Sequence, residues 1–219
     1  MLALDIDDIL ADTTRTRFFT LTRIFWDCGM TFEEAMKIHG GRNNTIWTSP
    51  EAQHRMNEKN HDNEYQKSLT LVDHALESVQ LLHNHYQPFS YYITARPETV
   101  LSWTKERLEY HGFPHLPIII RPISITREQE HIRKVWLLHQ LYKEWVSGII
   151  DDQMKLLHHM ENLHPDYSWS LHIIWKENST STQLNHTISQ SRPDFITQLT
   201  SSLATDTLLH NNTIIWSNE

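Results

Sequence analysis

Residues 2–12 read Leu2-Ala3-Leu4-Asp5-Ile6-Asp7-Asp8-Ile9-Leu10-Ala11-Asp12. A short apolar run is followed at once by Asp5 and Asp7, two carboxylates one residue apart. If the run is a strand of a parallel sheet, the acids fall at its carboxyl end, where open α/β sheets hold their ligands. Two carboxylates packed there are costly to keep ionised without a counter-charge, and a bound divalent cation is the simplest one.

The chain beyond this stretch alternates between strand and helix patterns. Val72, Ala75, Leu76, Val79 and Leu82 recur at helical spacing until Pro88. Phe89–Ile93 is aromatic and β-branched and reads as a strand ending at Thr94-Ala95-Arg96-Pro97, with Pro97 opening the next helix. That helix is expected to stop near Gly112. Leu116–Ile120 is the next strand, a helix is expected from about 128 to 145, and Val146–Ile150 is a strand that runs into Asp151-Asp152. A helix over 154–163 and a strand at Leu171–Trp175 follow, then a polar loop and a helix around 194–203. This alternation predicts an α/β domain, a Rossmann-like parallel sheet with helices on both faces.

Residues 14–68 break the pattern. Phe18, Phe19, Leu21, Ile24 and Phe25 suit one broad helix face, Thr31 with Glu34 resembles a capping box, and 49–66 contain no Leu, Ile, Val or Phe, which places them at a surface. They read as a small helical insert after the first strand. The expected division is a core of residues 1–13 and 69–219 with the insert 14–68.

Composition narrows the function. The chain has 219 residues and a formal charge of -8, which argues against a grip on extended nucleic acid, since that needs clustered Lys and Arg. A small phosphorylated substrate held through a metal ion stays compatible. The five glycines allow neither G-x-G-x-x-G nor a Walker loop. The single cysteine, Cys28, allows no internal disulfide, and the histidine pairs lack the spacing of H-E-x-x-H. No apolar run approaches the ~18 residues of a membrane span, and the start lacks the basic n-region of a signal peptide, so a cytoplasmic protein is expected.

Three strands thus end in polar residues expected at one sheet edge: Asp5/Asp7, Thr94 and Asp151/Asp152, with Lys134 on the helix leading into the last. In this order the residues resemble the haloacid dehalogenase-like phosphohydrolases. That family's motifs are an apolar strand followed by Asp-x-Asp, a strand ending in Ser or Thr, a lysine, and a strand ending in paired acids. The resemblance covers roughly residues 1–175. It departs at Asp8, where many members have Gly, and at Ile9, where Thr or Val is usual.

The resemblance implies a Mg²⁺-dependent phosphomonoester hydrolase. Asp5 would be the nucleophile that forms an aspartyl-phosphate, and Asp7 the acid and base for the leaving alcohol and the hydrolytic water. Thr94 would donate to a phosphoryl oxygen, with Ala95 and Arg96 beside it in substrate binding. Lys134 would neutralise charge on nucleophile and phosphate, with Lys143 as a rival excluded by its place late in the helix. The metal would be held by Asp5, the backbone carbonyl of Asp7, and the pair Asp151 and Asp152, with Asp152 preferred over Asp151 for direct contact. The insert occupies the place of a helical cap, and Phe18, Phe19, Trp26 and Trp47 are candidates for stacking on a base, although the favoured reading is that they make the cap's own core. The nearest branches are the 5'(3')-deoxyribonucleotidases and the phosphatase half of polynucleotide kinase-phosphatases, which point to a nucleotide or nucleic-acid-end phosphate. The competing expectations are a catalytically silent phosphoryl-binding module of the same fold, and a phosphatase for a non-nucleotide metabolite.

Overall fold

The apolar run Leu2–Leu4 forms β1, and its side chains alternate between two cores. Leu2 and Leu4 enter one hydrophobic cluster and Ala3 the other. This places β1 in the interior of a sheet covered on both faces. The computed structural model describes residues 1–25, 30–39, 49–85, 88–127, 129–153, 156, 159–160, 170–176, 186–189 and 213–218.

After β1 come the helices α1 (Thr13–Phe25), α2 (Phe32–His39), α3 (Pro50–Asn60), α4 (Asn63–Ser68) and α5 (Ala75–His85). Then follow β2 (Phe89–Pro97), a short 3-10 turn (Glu98–Val100), α6 (Leu101–Tyr110), β3 (Ile118–Arg121), α7 (Glu130–Tyr142) and β4 (Gly148–Asp151). Three further strands, β5 (Ser170–Lys176), β6 (His186–Ser189) and β7 (Thr213–Asn218), complete a sheet of order β3-β2-β1-β4-β5-β7-β6. Every pairing in it is parallel. The fold is α/β.

The strand order explains which helix covers which face. From β1 the chain moves outward to β2 and β3, then returns across β1 to β4. Right-handed crossovers in opposite directions put their helices on opposite faces. Accordingly α5 and α6 supply Val79, Leu82 and Leu108 to the cluster of Leu2, Leu4, Tyr92 and Ile150. Helix α7 supplies Val135, Leu138 and Leu141 to the cluster of Ala3, Ile93 and Ile149. The reversal of order lies between β1 and β4, which makes their carboxyl ends the topological switch point.

Several local expectations are met with adjusted edges. Thr31 and Glu34 exchange bonds as a capping box, with Thr31 N–H donating to Glu34 Oε2 at 2.8 Å and Glu34 N–H to Thr31 Oγ1 at 3.2 Å. Helix α6 ends at Gly112, whose φ of 79° suits glycine, and Phe113 N–H returns to Leu108 O at 3.0 Å. Strand β2 runs to Pro97 instead of stopping before Thr94. A bulge shifts its register between Leu2↔Phe89 and Ala3↔Tyr91, which leaves Ser90 as the extra residue. Pro97 therefore ends the strand and, as expected, also opens the helical stretch, as N-cap of the 3-10 turn that runs into α6. Strands β6 and β7 were not expected from the sequence, and the helices expected at 194–203 and over much of 154–163 fall outside the described residues.

Between Thr13 and Ser68 the helices share their own small core of Phe18, Leu21, Ala35, Ala52, Met56, Tyr65 and Leu69. The surface reading of residues 49–66 therefore needs correction at Ala52, Met56 and Tyr65, which are buried. Small and flexible side chains fill this core where branched aliphatics fill the sheet's. The segment is tied to α6 by Arg107 Nη1, which donates to the carbonyls of Gln66 (3.3 Å) and Lys67 (2.5 Å), and by Lys67 Nζ over the Trp103 ring at 3.7 Å.

Candidate active site

Asp5 extends the pairing of β1 by donating its N–H to Ile150 O at 2.9 Å. Since Leu4 pairs with Ile150, Asp5 and Asp151 leave neighbouring strands at the same level. One carboxylate oxygen each from Asp5, Asp151 and Asp152 lie within 4.8 Å of one another. Lys134 reaches them from the first turns of α7, and it is fully buried because that face of the helix packs on the sheet. Its Nζ donates to Asp151 Oδ2 at 2.8 Å and forms an ion pair with Asp5 Oδ1 at 2.9 Å. Gln153 N–H donates to Asp151 Oδ1 at 2.8 Å, so both oxygens of that acid are engaged. Lys143 lies at the exposed C-terminus of α7, away from this cluster.

Two of the three clustered carboxylates thus share one ammonium. Burial pushes the Asp5 carboxyl well above its ordinary pKa; Lys134 opposes the shift, and Asp151, Asp7 and Asp152 add to it. Burial alone would lower the Lys134 pKa, but Asp151 and Asp5 outweigh it and keep the ammonium charged. The remaining negative charge is what a hard divalent cation with oxygen ligands offsets. The donor set fits Mg²⁺, which binds through one or two carboxylates and retains water or phosphate oxygens. Among the described residues no histidine belongs to a candidate metal cluster.

Asp7 stands in a second cluster. Arg96 donates to its Oδ1 through Nε (3.1 Å) and Nη2 (2.9 Å), and Thr13 Oγ1 donates to the same oxygen at 2.7 Å. Thr94 Oγ1 donates to Oδ2 at 3.3 Å and accepts the Arg96 N–H at 3.2 Å. Burial raises the Asp7 pKa, but the charge and hydrogen bonds of Arg96, with Thr13, outweigh it and leave the carboxyl below its usual range. The Asp7 side chain is not part of the three-acid group; the metal contact expected of Asp7 is its backbone carbonyl, and its carboxylate is held apart from the cluster by Arg96. Arg96, read as a substrate-binding residue, is paired with Asp7 in this structure.

Asp8 has a role the sequence did not suggest. Its φ is 61°, the left-handed region that Asp tolerates better than most residues. Thr14 N–H donates to its Oδ1 at 2.7 Å and Thr14 Oγ1 to its Oδ2 at 2.5 Å, so Asp8 holds the first turn of α1. Where a glycine would meet only the backbone demand, Asp8 meets it and caps a helix.

Asp7, Asp8, Ala95 and Arg96 line a cavity of about 770 Å³ whose other walls come from α1, α3 and the loop after β3. Asp5, Thr94, Lys134 and Asp151 are enclosed beside it and do not line it. Of the aromatic stacking candidates, Phe18 belongs to the core of the helical segment and Phe19 packs near Phe32 and Arg15 on its outside. Neither lines the cavity, and Trp26 and Trp47 lie outside the described residues. The arginines Arg17, Arg121 and Arg127 do line it. They are spread over 110 residues of chain, and no local pattern announces them.

No protein-family model matches the chain, and no curated protein matches it.

Proposed function

We propose that the protein is a Mg²⁺-dependent phosphomonoester hydrolase of the haloacid dehalogenase-like type, working through an aspartyl-phosphate on Asp5. The observation that carries this reading is the cluster of Asp5, Asp151 and the partly buried Asp152, with the Lys134 ammonium on the first two, at the switch point of a parallel sheet. The order in which β1, β2, α7 and β4 deliver Asp5, Thr94, Lys134 and Asp151-Asp152 is the order the family resemblance requires.

Phosphoryl transfer asks little covalent chemistry of a protein and much positioning and charge stabilisation. Asp5 attacks phosphorus and the P–O bond to the leaving alcohol breaks; water then cleaves the aspartyl-phosphate. Asp5, Asp151 and Asp152 would hold Mg²⁺, which supplies positive charge to the phosphoryl oxygens. Lys134 holds Asp5 in place and offsets its charge. Asp7, kept ionised by Arg96, is set to accept the proton of the attacking water. Its earlier duty as acid to the leaving alcohol requires Arg96 to pass to the incoming phosphate, which also brings the guanidinium to the substrate role read from the sequence. Residues 14–68 act as a cap over the cavity, and the substrate class read from the sequence is a nucleotide or nucleic-acid-end phosphate.

One observation favours a second reading. Asp5 is only 2% exposed and Asp7 is tied to Arg96, as in a phosphoryl-binding module without turnover. Phosphate release from a panel of nucleotides and sugar phosphates, with Mg²⁺ and with chelator, separates the two. Turnover that needs Mg²⁺ and disappears in Asp5→Asn is expected; no turnover on any ester, or full turnover by that variant, overturns the hydrolase.

A further inference from the structure

The cavity beside Asp7 carries more positive charge than one phosphate needs. Its walls hold four arginines, Arg17, Arg96, Arg121 and Arg127, against two acids, Asp7 and Asp8. This occurs in a chain whose formal charge is -8, so the arginines are concentrated here against the trend of the whole molecule. Arg96 is committed to Asp7 at 2.9 Å. Arg121, 8% exposed, donates through Nε to Ala95 O at 2.9 Å and through Nη1 to Ile125 O at 2.5 Å. It thereby fastens the loop after β3, which carries Arg127, to the segment that carries Arg96. Arg17 faces the same space from α1, three residues beyond the turn held by Asp8.

The opposite wall is polar in a periodic way. Gln53, Asn57 and Asn60 stand at i, i+4 and i+7 on α3 and line the cavity, while Ala52 enters the core and Met56 lies at the boundary, in the core and at the cavity wall. Gln66, 5% exposed, lines it too, and its Oε1 has no hydrogen-bond partner. A buried amide oxygen left in this condition calls for a donor that is not protein. No Phe, Tyr or Trp ring lines the cavity among the described residues; its only rings there are the imidazoles of His54 and His61.

We infer that the cavity selects a phosphomonoester bearing a second anionic group on a hydroxylated skeleton, with Arg17 and Arg127 receiving the second anion and the amides of α3 receiving hydroxyls. The inference rests on the phosphohydrolase reading for the fate of the first phosphate, but the binding preference stands without turnover. It also shifts the expected specificity away from stacking on a base. The second anion is a phosphate or a carboxylate, and the two are separated by test.

Calorimetric binding to Asp5→Asn protein in Mg²⁺ compares ribose 5-phosphate with ribose 1,5-bisphosphate, and glycerol 2-phosphate with 2-phosphoglycerate. At least tenfold tighter binding of the second member of one pair is expected, and which pair shows it identifies the anion. That advantage should fall severalfold in Arg17→Gln and in Arg127→Gln; the second variant lies on an exposed loop and keeps the test open if the first does not fold. Equal binding within both pairs, or a preference that both arginine variants retain, overturns the inference. If the preference is found but the unmutated protein releases no phosphate from either member, the hydrolase reading alone fails. If phosphate is released with Mg²⁺ and no preference exists, the inference alone fails.

Discussion

The strand ends and the helical segment that faces them hold their charges by different means. Asp5, Asp151 and Lys134 are placed by parallel register and by a helix packed along the sheet, and they are enclosed and in direct contact. Arg17 and the polar stripe of α3 are placed by helices whose shared core is built on residues such as Ala35, Ala52, Met56 and Phe18. Register fixes positions to within the geometry of a hydrogen-bonded ladder, whereas a small helical core leaves its surface easier to displace. On the proposed function, chemistry that tolerates little misplacement would sit on the first, and recognition that must admit a ligand on the second.

The sharpest break of this comparison is Asp5→Asn, which should lower phosphate release by about 10⁴-fold or more, as the loss of a nucleophile does, with the fold retained by circular dichroism. Lys134→Met tests the enclosed side by stability. Leaving Asp5 and Asp151 without their ammonium should cost about 3 to 5 kcal/mol in denaturant unfolding, and Mg²⁺ should recover part of it. Thr94→Val removes the donor at the end of β2 and should cut kcat by about 100-fold while changing KM less.

The helical side should respond in stability more than in turnover chemistry. Met56→Ala should destabilise by about 2 kcal/mol and, if the two regions open separately, should speed amide exchange in α3 and α4 but not in β1. The smallest expected effect is at Asp62, which caps α4 by accepting the N–H groups of Glu64 and Tyr65. Its pKa is lowered by the Lys59 hydrogen bond and then by these backbone donors, against the opposing effect of burial. A carboxyl depressed in the folded state stabilises above its unfolded pKa and loses that stabilisation as pH falls through the folded value. Asp62→Ala should therefore cost about 1 kcal/mol at pH 7, and thermal unfolding should show the cost shrinking as the pH falls through the acid range.

Much of the enclosed side was legible in residues 1–175 because strand-end chemistry leaves a local trace: an apolar run, then an acid. Asp5 and Asp151 follow from that pattern, and Lys134 from its place ahead of β4. What the pattern could not convey was which neighbour each group would take. Arg96 and Asp7 are 89 residues apart, and their pairing depends on how β1 and β2 align. The bulge at Ser90 helps set that alignment, and a single unpaired residue has no signature in composition. Phe18 makes the helical segment's own core, the reading favoured for it over base stacking, while Phe19 is exposed and belongs to neither, because aromatic content alone does not tell a core from a binding wall or an outer face. Of the cavity's arginines, Arg17, Arg121 and Arg127 were missed for the converse reason, since each is unremarkable until separate segments of the chain converge.

Asp8 couples these two sides mechanically. The segment from Asp7 to Thr14 is a short stiff joint: Thr13 is bound to Asp7 and Thr14 to Asp8, and α1 leaves it in a set direction with Arg17 one turn along. The helix is thus a ruler whose zero mark is the acid pair. On the binding proposed above, a ligand gripped at both marks would be measured for length as well as charge, and altering the joint would change the size of molecule that fits without touching either grip.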